Sequence, residues 1–309
     1  MDNASHIIFD RALLVRRRNR HGAIAGAHDF LLRAAAGDLL DRLALVRRTF
    51  PVALNLGSGH GLLSSALRAL DGVALVVDAD TAPALLDQHQ GPRVIADEEA
   101  LPFGAATLDL VVSALSLQLV NDLPGTLLQI RRALRPDGLF LGSLLGGATL
   151  HELREAFVLA ETEIEGGASP RIAPFADVRA LGGLLQRAGF ALPVSDSDTL
   201  EVGYGDALGL MRDLRAMGWA NMLIARRRTP LRRATLARAV EIYADRFARP
   251  DGRIRATFEI VTLTGWAPHE SQQQPLRPGS AKSRLADALG VPERPAGEDA
   301  EGRGGKRRA

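Results

Sequence analysis

The chain has 309 residues, of which 46% are hydrophobic, so it is long enough to bury a full core. It contains no cysteine, which excludes disulfides, zinc–thiolate sites, iron–sulfur clusters and thiol nucleophiles. The net charge is +2, and from Arg277 onward eight Lys and Arg stand against five Asp and Glu, which leaves about −1 on residues 1–276. The basic surplus therefore lies in a tail, and we predict no nucleic acid partner.

Two further features bear on location and partners. No apolar run approaches the roughly 20 residues that a membrane span requires, and the first residues lack the apolar core of a secretory signal. We therefore expect no membrane span and a cytoplasmic protein. Arginine clusters around Arg16–Arg18 and Arg226–Arg228 are predicted to be solvated helix faces.

Hydrophobic periodicity predicts the elements in chain order. Residues 1–49 form an N-terminal helical segment, with a helix over 28–49. The segment 50–147 then alternates strands with helices. Strands are predicted at 52–56, 73–78, 93–97, 108–115 and 139–145, and helices at 62–70, 82–89 and 126–134. This alternation favours an α/β fold with a doubly wound parallel sheet.

The pattern changes in the segment 148–268, which we expect to complete the fold. Helices are predicted at 151–167 and 178–190, and strands at 199–204 and 256–266, with mostly helical sequence between the two strands. This order predicts an antiparallel end to the sheet, interrupted by a helical insertion. The segment 269–309 is predicted to be a mostly disordered tail, with a short helix at 282–289.

The stretch LNLGSGHG, residues 54–61, places three glycines directly after the first predicted strand. Ligands of such sheets bind at the carboxyl ends of the strands. A dinucleotide loop would need a third glycine at position 62, where Leu62 stands, so the loop has the G-x-G-x-G form instead. Asp78 and Asp97 end the next two predicted strands, where carboxylates can accept hydrogen bonds from ribose hydroxyls and an adenine amino group. The three strand ends together predict a nucleoside pocket.

A family resemblance rests on LNLGSGHG, VVDAD, ADEEALPF, LDLVVSALSLQLVNDL and LRPDGLFLG, in this order. These segments resemble the core of class I S-adenosyl-L-methionine (SAM)-dependent methyltransferases. The resemblance implies a Rossmann-like sheet of seven strands and SAM as the cofactor. It also implies a set of SAM-binding residues, namely Asn55, Gly57, Ser58, Gly59, Asp78, Ala79, Asp97, Glu98, Ser113 and Leu115.

Longer segments, among them FDRALLVRRRNR, AETEIEGGASPRIAPF and GWAPHESQQQPLRPGSA, are similar to mitochondrial complex I assembly factor 5 and its bacterial relatives. The same group resembles malonyl-carrier-protein O-methyltransferase. The resemblance implies a methyltransferase with a small-molecule, carrier-protein or protein acceptor. Two alternatives stay open, which are hydroxylation of an arginine on a respiratory complex I subunit and a non-catalytic assembly role with structural SAM.

No catalytic residue and no metal site are predicted. Gln118 and Leu119 replace the His-Trp pair usual in the family, which removes a histidine base there, and His60 is expected to be a solvated loop residue. Trp219 is expected in the core, with an acceptor pocket as the alternative. The segment SPRIAPF (169–175) is expected to form a rigid loop that can cover the site, because two prolines restrict it.

Overall fold

The computed structural model describes residues 7–273 and the single positions 284, 287 and 290, without the side chains of residues 21, 23 and 25. The chain divides into two units, Met1–Glu270 and Ser271–Ala309, and every feature described below belongs to the first. The predicted disordered tail and the predicted helix at 282–289 lie almost wholly outside the described residues.

The described residues form one mixed sheet of seven strands in the order β3-β2-β1-β4-β5-β7-β6. The strands are β1 Val52–Leu56, β2 Leu75–Asp80, β3 Arg93–Ile95, β4 Leu108–Ala114, β5 Leu134–Leu145, β6 Ala191–Tyr204 and β7 Ile254–Trp266. The first five strands in this order pair in parallel, and β7 is antiparallel to both of its neighbours. The predicted α/β class and the antiparallel end of the sheet are confirmed.

Helices flank this sheet in the described part of the chain. They are α1 Arg11–His21, α2 Phe30–Ala44, α3 Leu62–Arg68, α4 Pro83–Leu86, α5 Leu123–Ala133, α6 His151–Glu165, α7 Val178–Arg187, α8 Ala207–Ala216 and α9 Arg233–Phe247. A 3-10 helix, Gly22–His28, joins α1 to α2. The helices α8 and α9 lie between β6 and β7 in the chain, which confirms the predicted helical insertion.

The second strand is displaced from its predicted position by two residues. Its pairing with β1 starts at Val52↔Leu75 and continues to Leu56↔Ala79, so the strand ends at Asp80 rather than Asp78. The reason is a turn closed by the N–H of Val73 and the carbonyl of Leu70, after which the N–H groups of residues 74 and 75 both donate to the carbonyl of Pro51, just before β1. This turn delays the start of the strand and moves its carboxyl end, where ligands bind.

Apolar side chains alternate along the central strands and pack against helices on both faces of the sheet. On one face, strand residues meet α5 and α7 in a cluster that includes Leu54, Leu56, Val111, Phe140, Leu127, Ile130, Leu181 and Leu185. On the other face, a second cluster with α2 and α3 includes Ala53, Leu110, Leu139, Leu141, Leu39, Leu43, Leu63 and Leu67. Each fully buried Leu contributes roughly 2 kcal/mol, and the two layers hold the strand ends in place.

Candidate active site

The loop after β1 carries three glycines in the left-handed region, Gly57 at φ +68°, Gly59 at +56° and Gly61 at +86°. The N–H of Gly57 donates to the carbonyl of Ala79 at 2.8 Å, which ties the loop to β2. A Cβ at Gly57 would lie 2.1 Å from Oγ of Ser116, so a larger residue does not fit there. A Cβ at Gly59 would meet nothing within 4 Å. The loop therefore needs one glycine for close packing and another for its backbone conformation.

A cavity, here named the loop cavity, lies over this loop at the carboxyl ends of β1, β2 and β4, the switch point of the sheet. Asp80 lines it and is 1% exposed. Its Oδ2 accepts from the N–H of Gly59 at 3.1 Å, and its Oδ1 accepts from the N–H of Ala82 at 2.9 Å. Arg18 of α1 also lines the cavity, and its Nη1 lies 3.4 Å from Oδ1 of Asp80. The carboxylate of Asp80, the guanidinium of Arg18 and the backbone of Gly59 therefore lie together in this cavity.

The predicted ribose ligand, Asp78, lies behind the loop and not on the wall of the cavity. It is fully buried, and its carboxylate accepts hydrogen bonds from Ser64 and Arg68. Nδ1 of His89 lies 3.0 Å from Oδ2 of Asp78, and Nε2 of the same ring lies 2.8 Å from the carbonyl oxygen of Gly59. Burial alone would raise the pKa of Asp78, but the hydrogen bonds from His89, Ser64 and Arg68 lower it. These contacts give Asp78 a supporting position beneath the loop.

The carboxylates after β3 face the N-terminal helix. Nη2 of Arg11 donates to Oδ1 of Asp97 at 2.6 Å and also to the fully buried Glu98. Glu98 accepts a further hydrogen bond from Oγ of Ser116 at 2.6 Å, and Nη1 of Arg18 lies 3.5 Å from it. Burial alone would raise the pKa of Glu98, but the charges of Arg18 and Arg11 hold it below its ordinary value. The helix α1 therefore covers this side of the site with two guanidinium groups.

Among the ten predicted SAM-binding residues, Gly57, Gly59 and Leu115 line the loop cavity. The other seven are placed behind or beside it, namely Asn55, Ser58, Asp78, Ala79, Asp97, Glu98 and Ser113. Nδ2 of Asn55 donates to Ser64 at 2.9 Å and to Asp78 at 3.1 Å, so it joins the supporting network beneath the loop. The predicted residues therefore all lie near one end of the sheet, but only three of them line the cavity.

Two histidines, each beside an aspartate, also line the loop cavity. Nδ1 of His28 lies 2.9 Å from Oδ1 of Asp213, which belongs to α8. Nε2 of His60 lies 3.3 Å from Oδ2 of Asp29. The His60 side chain is 13% exposed, so the prediction of a solvated loop residue is wrong, because the ring lies on the cavity wall beside Asp29, the N-cap of α2. When Asp213 holds the proton on Nδ1 of His28, Nε2 keeps its lone pair and can accept a proton.

Sequence reasoning missed Asp80, Arg18 and His28, all of which line the loop cavity. Asp80 could have been predicted from the sequence. Side chains two residues apart on a strand share a face, so Asp80 lies on the same face as Asp78 and nearer the glycine loop. His28 had none, because its partner Asp213 is 185 residues away in the chain.

No group of three or more His, Asp or Glu side chains in residues 7–273 is arranged to hold a metal ion. In the same part of the chain, no helix has the length and apolar character that crossing a membrane requires.

Comparison with known proteins places the chain in a family. Residues 54–142 match the methyltransferase domain family. The chain is 39% identical to the arginine-hydroxylase NDUFAF5, mitochondrial, of Danio rerio, across 91% of this chain and 89% of the relative. It is 34% identical to malonyl-[acyl-carrier protein] O-methyltransferase of Methylovorus sp. (strain MP688), across 86% and 92% of the two chains. A putative methyltransferase from Bacillus halodurans C-125 has the same fold, with a TM-score of 0.53 and 14% identity, over 76% of this chain and all of that one.

The fold, the glycine loop and these matches define a member of the class I SAM-dependent methyltransferase superfamily, a methyltransferase-like protein whose cofactor is SAM. Within the superfamily, the chain belongs to the family of the NDUFAF5 proteins, which it matches along nearly its whole length. Both resemblances predicted from the sequence are confirmed.

Proposed function

We propose that the chain transfers a methyl group from SAM to a small-molecule, carrier-protein or protein acceptor. The observation that carries the proposal is the carboxylate of Asp80 beside Gly59, at the ends of the adjacent strands β1 and β2. A carboxylate at this point can accept hydrogen bonds from both ribose hydroxyls. The open face of Gly59 leaves room for the methionine part of the cofactor to approach the backbone.

The helix α1 takes part in cofactor binding in this proposal. Arg18 contacts Asp80 at 3.4 Å, so it gives up this contact when the ribose takes the carboxylate. Asp97 is 42% exposed and bonded to Arg11, and it exchanges this cation for the adenine amino group. Asp78, Glu98 and Asn55 support the loop instead of touching the cofactor.

The transfer itself needs alignment and, for a hydroxyl or amine acceptor, a group that takes up the proton. Bound SAM would supply the methyl group, and its sulfur would keep the electron pair of the broken carbon–sulfur bond as the acceptor's oxygen or nitrogen bonds to the methyl carbon. The sulfonium is already reactive, so the protein supplies mainly orientation. The proton of a hydroxyl or amine acceptor passes to Nε2 of His28, which Asp213 orients through Nδ1.

Calorimetric titration of SAM and S-adenosylhomocysteine into the full chain tests the cofactor part of the proposal. We expect Asp80→Asn to weaken binding about a hundredfold, because charge-assisted hydrogen bonds to the ribose are lost. The matched control is Asp87→Asn, since Asp87 is exposed at the end of α4 and outside the cavity. Equal affinities of wild type and Asp80→Asn would contradict the assignment of Asp80.

A second candidate function is arginine hydroxylation on a protein, with a respiratory complex I subunit as the acceptor. Relatives at 39–41% identity are arginine-hydroxylase NDUFAF5 proteins, which favours the hydroxylation. Mass spectrometry of a cell extract incubated with the chain and SAM separates the candidates, because methylation adds a methylene mass and hydroxylation adds an oxygen mass. A product with added methylene supports the first proposal, and one with added oxygen overturns it. The cytoplasmic location stays a prediction.

A further inference from the structure

A second cavity of about 280 Å³ adjoins the loop cavity. It is named the acceptor cavity here and is lined by side chains of α6, α8 and the 169–175 loop, among them Leu153, Phe157, Phe175, Met211 and Leu214. Trp219 lies on the wall of both cavities. The wall is mostly apolar, as in sites that bind the body of a small molecule. The segment 169–175 thus supplies one wall, and Trp219 both packs against the core, as expected, and lines the cavity, as the alternative had it.

One buried polar atom on this wall has no partner in the described part of the chain. Gln118 is 8% exposed, and its Nε2 donates to the carbonyl of Leu115 at 2.8 Å. Its Oε1 is buried and accepts no hydrogen bond. Exchanging the two amide atoms would set the oxygen against a carbonyl oxygen, so the orientation is determined. A buried acceptor without a donor is costly, which points to a ligand that brings an O–H or N–H group.

The charge around the mouth of the acceptor cavity is positive. Arg215 lines the cavity and is exposed, and its guanidinium makes no hydrogen bond or ion pair with the described residues. Nη1 of Arg17 lies nearby, donating to the carbonyl of Asn221 at 3.0 Å. Burial lowers the pKa of Arg17, and the positive charges of Arg226 and Arg215 lower it further. An anionic group on the ligand would be favoured at this end.

We propose that the acceptor cavity binds an apolar acceptor with two polar groups, a hydroxyl or amine that donates to Gln118 and an acidic group that meets Arg215. The inference rests on the proposed methyl transfer for the ligand's role, since Trp219 joins the cavity to the cofactor site. The wall is apolar and offers Oε1 of Gln118 as a hydrogen-bond acceptor. It therefore favours an elongated chain or a ring over a strongly polar substrate.

Calorimetry with simple probes tests this binding site on the full chain. The probes are ω-hydroxydecanoate, which has both polar groups, and decanoate, which lacks the hydroxyl. We expect ω-hydroxydecanoate to bind about tenfold more tightly, because only it satisfies Oε1 of Gln118. In Gln118→Met the two probes should bind alike. The matched control is Gln186→Met, since Gln186 is exposed on α7 and outside the cavity. Arg215→Gln should weaken the binding of both probes. It should leave the binding of decanol unchanged, because decanol has no acidic group to meet Arg215.

A blocking variant, Leu153→Trp, should abolish binding of both probes, with circular dichroism to confirm folding. Titration of SAM into the same samples keeps the two proposals apart. If SAM binds but neither probe does, or if Gln118→Met keeps the wild-type discrimination, the acceptor cavity is assigned wrongly while the cofactor site stands. If the probes bind as expected and SAM does not, the cavity stands and the methyltransferase proposal fails.

Discussion

In the proposed mechanism, His28 accepts a proton and Asp213 orients its ring. Histidine is the side chain whose ordinary pKa lies nearest neutrality, so a neutral ring can accept a proton under physiological conditions. Asp213 lies 2.9 Å from Nδ1 and selects the tautomer that leaves Nε2 free. The aspartate also acts on Tyr204, since burial and then the charge of Asp213 raise the pKa of that phenol.

At this scale we predict that His28→Gln lowers kcat about a hundredfold and leaves SAM affinity unchanged, because a general base contributes typically 10²–10⁴-fold. Asp213→Asn should lower kcat less, since it keeps the ring but loses the preference for one tautomer. The assay uses the acceptor that mass spectrometry identifies. His151→Gln is the control, since His151 is half-exposed at the start of α6 and outside both cavities. Unchanged kcat in His28→Gln would rule out proton transfer to this ring.

At the scale of elements, α1 confirms only part of the expected solvated arginine face. Arg16 and Arg20 are exposed, but Arg18 is 13% exposed, because it turns toward Asp80 at the end of β2 and Glu98 after β3. Arg226, from the other predicted cluster, is 18% exposed and pairs with Asp10 at 3.0 Å. Charge periodicity alone could not reveal this, because the partners belong to distant segments.

The loop between β1 and α3 permits a test with two neighbouring glycines. We expect Gly57→Ala to destabilise the fold by about 3 kcal/mol, because a Cβ would overlap Ser116 and the backbone conformation is left-handed. Gly59→Ala has the same strain without the overlap, so its cost should be about 1 kcal/mol. Urea unfolding of both variants measures the difference. Similar losses of stability would show that the close packing of Gly57 against Ser116 is not as described.

For the whole molecule, buried carboxylates make the free energy of unfolding depend on pH in the acidic range. The pKa of Glu98 and of Asp78 is lowered in the folded state, so each binds protons less readily there than in the unfolded chain. Their contribution is therefore complete above the unfolded values of about 4.3 and 3.9, and it is lost as pH falls through the folded values. We expect the contribution of these two carboxylates to be nearly constant from about pH 7 to about pH 5 and to be lost below that.

Chemical unfolding across this pH range measures the effect. Glu98→Gln should be less stable near neutrality, because Arg11 and Arg18 lose a buried anion, and its stability should fall less on acidification. Glu163→Gln is the control, since Glu163 pairs with Arg238 at the surface, where ion pairs contribute little. An acid profile of Glu98→Gln parallel to that of wild type would contradict the assignment.

The amino-acid sequence by itself determined the alternation of strands and helices, the position of the glycine loop and the membership of the superfamily. The first strand was predicted at 52–56 and is found as Val52–Leu56, with the loop directly after it. These features follow from residues close together in the chain, because the periods of strands and helices and the freedom of glycine act over a few residues. The same local reading placed the second strand two residues too early.

Only the tertiary structure decided which carboxylate faces the cavity, because strand pairing with β1 sets the end of β2 at Asp80. It also decided that α1 covers Glu98, that Asp213 meets His28, and that Gln118, whose Oε1 accepts no hydrogen bond, lies on the wall of an apolar cavity. Each of these depends on contacts between segments far apart in the chain. Periodicity and motif spacing carry no information on such contacts, because packing and charge pairing between distant elements select them.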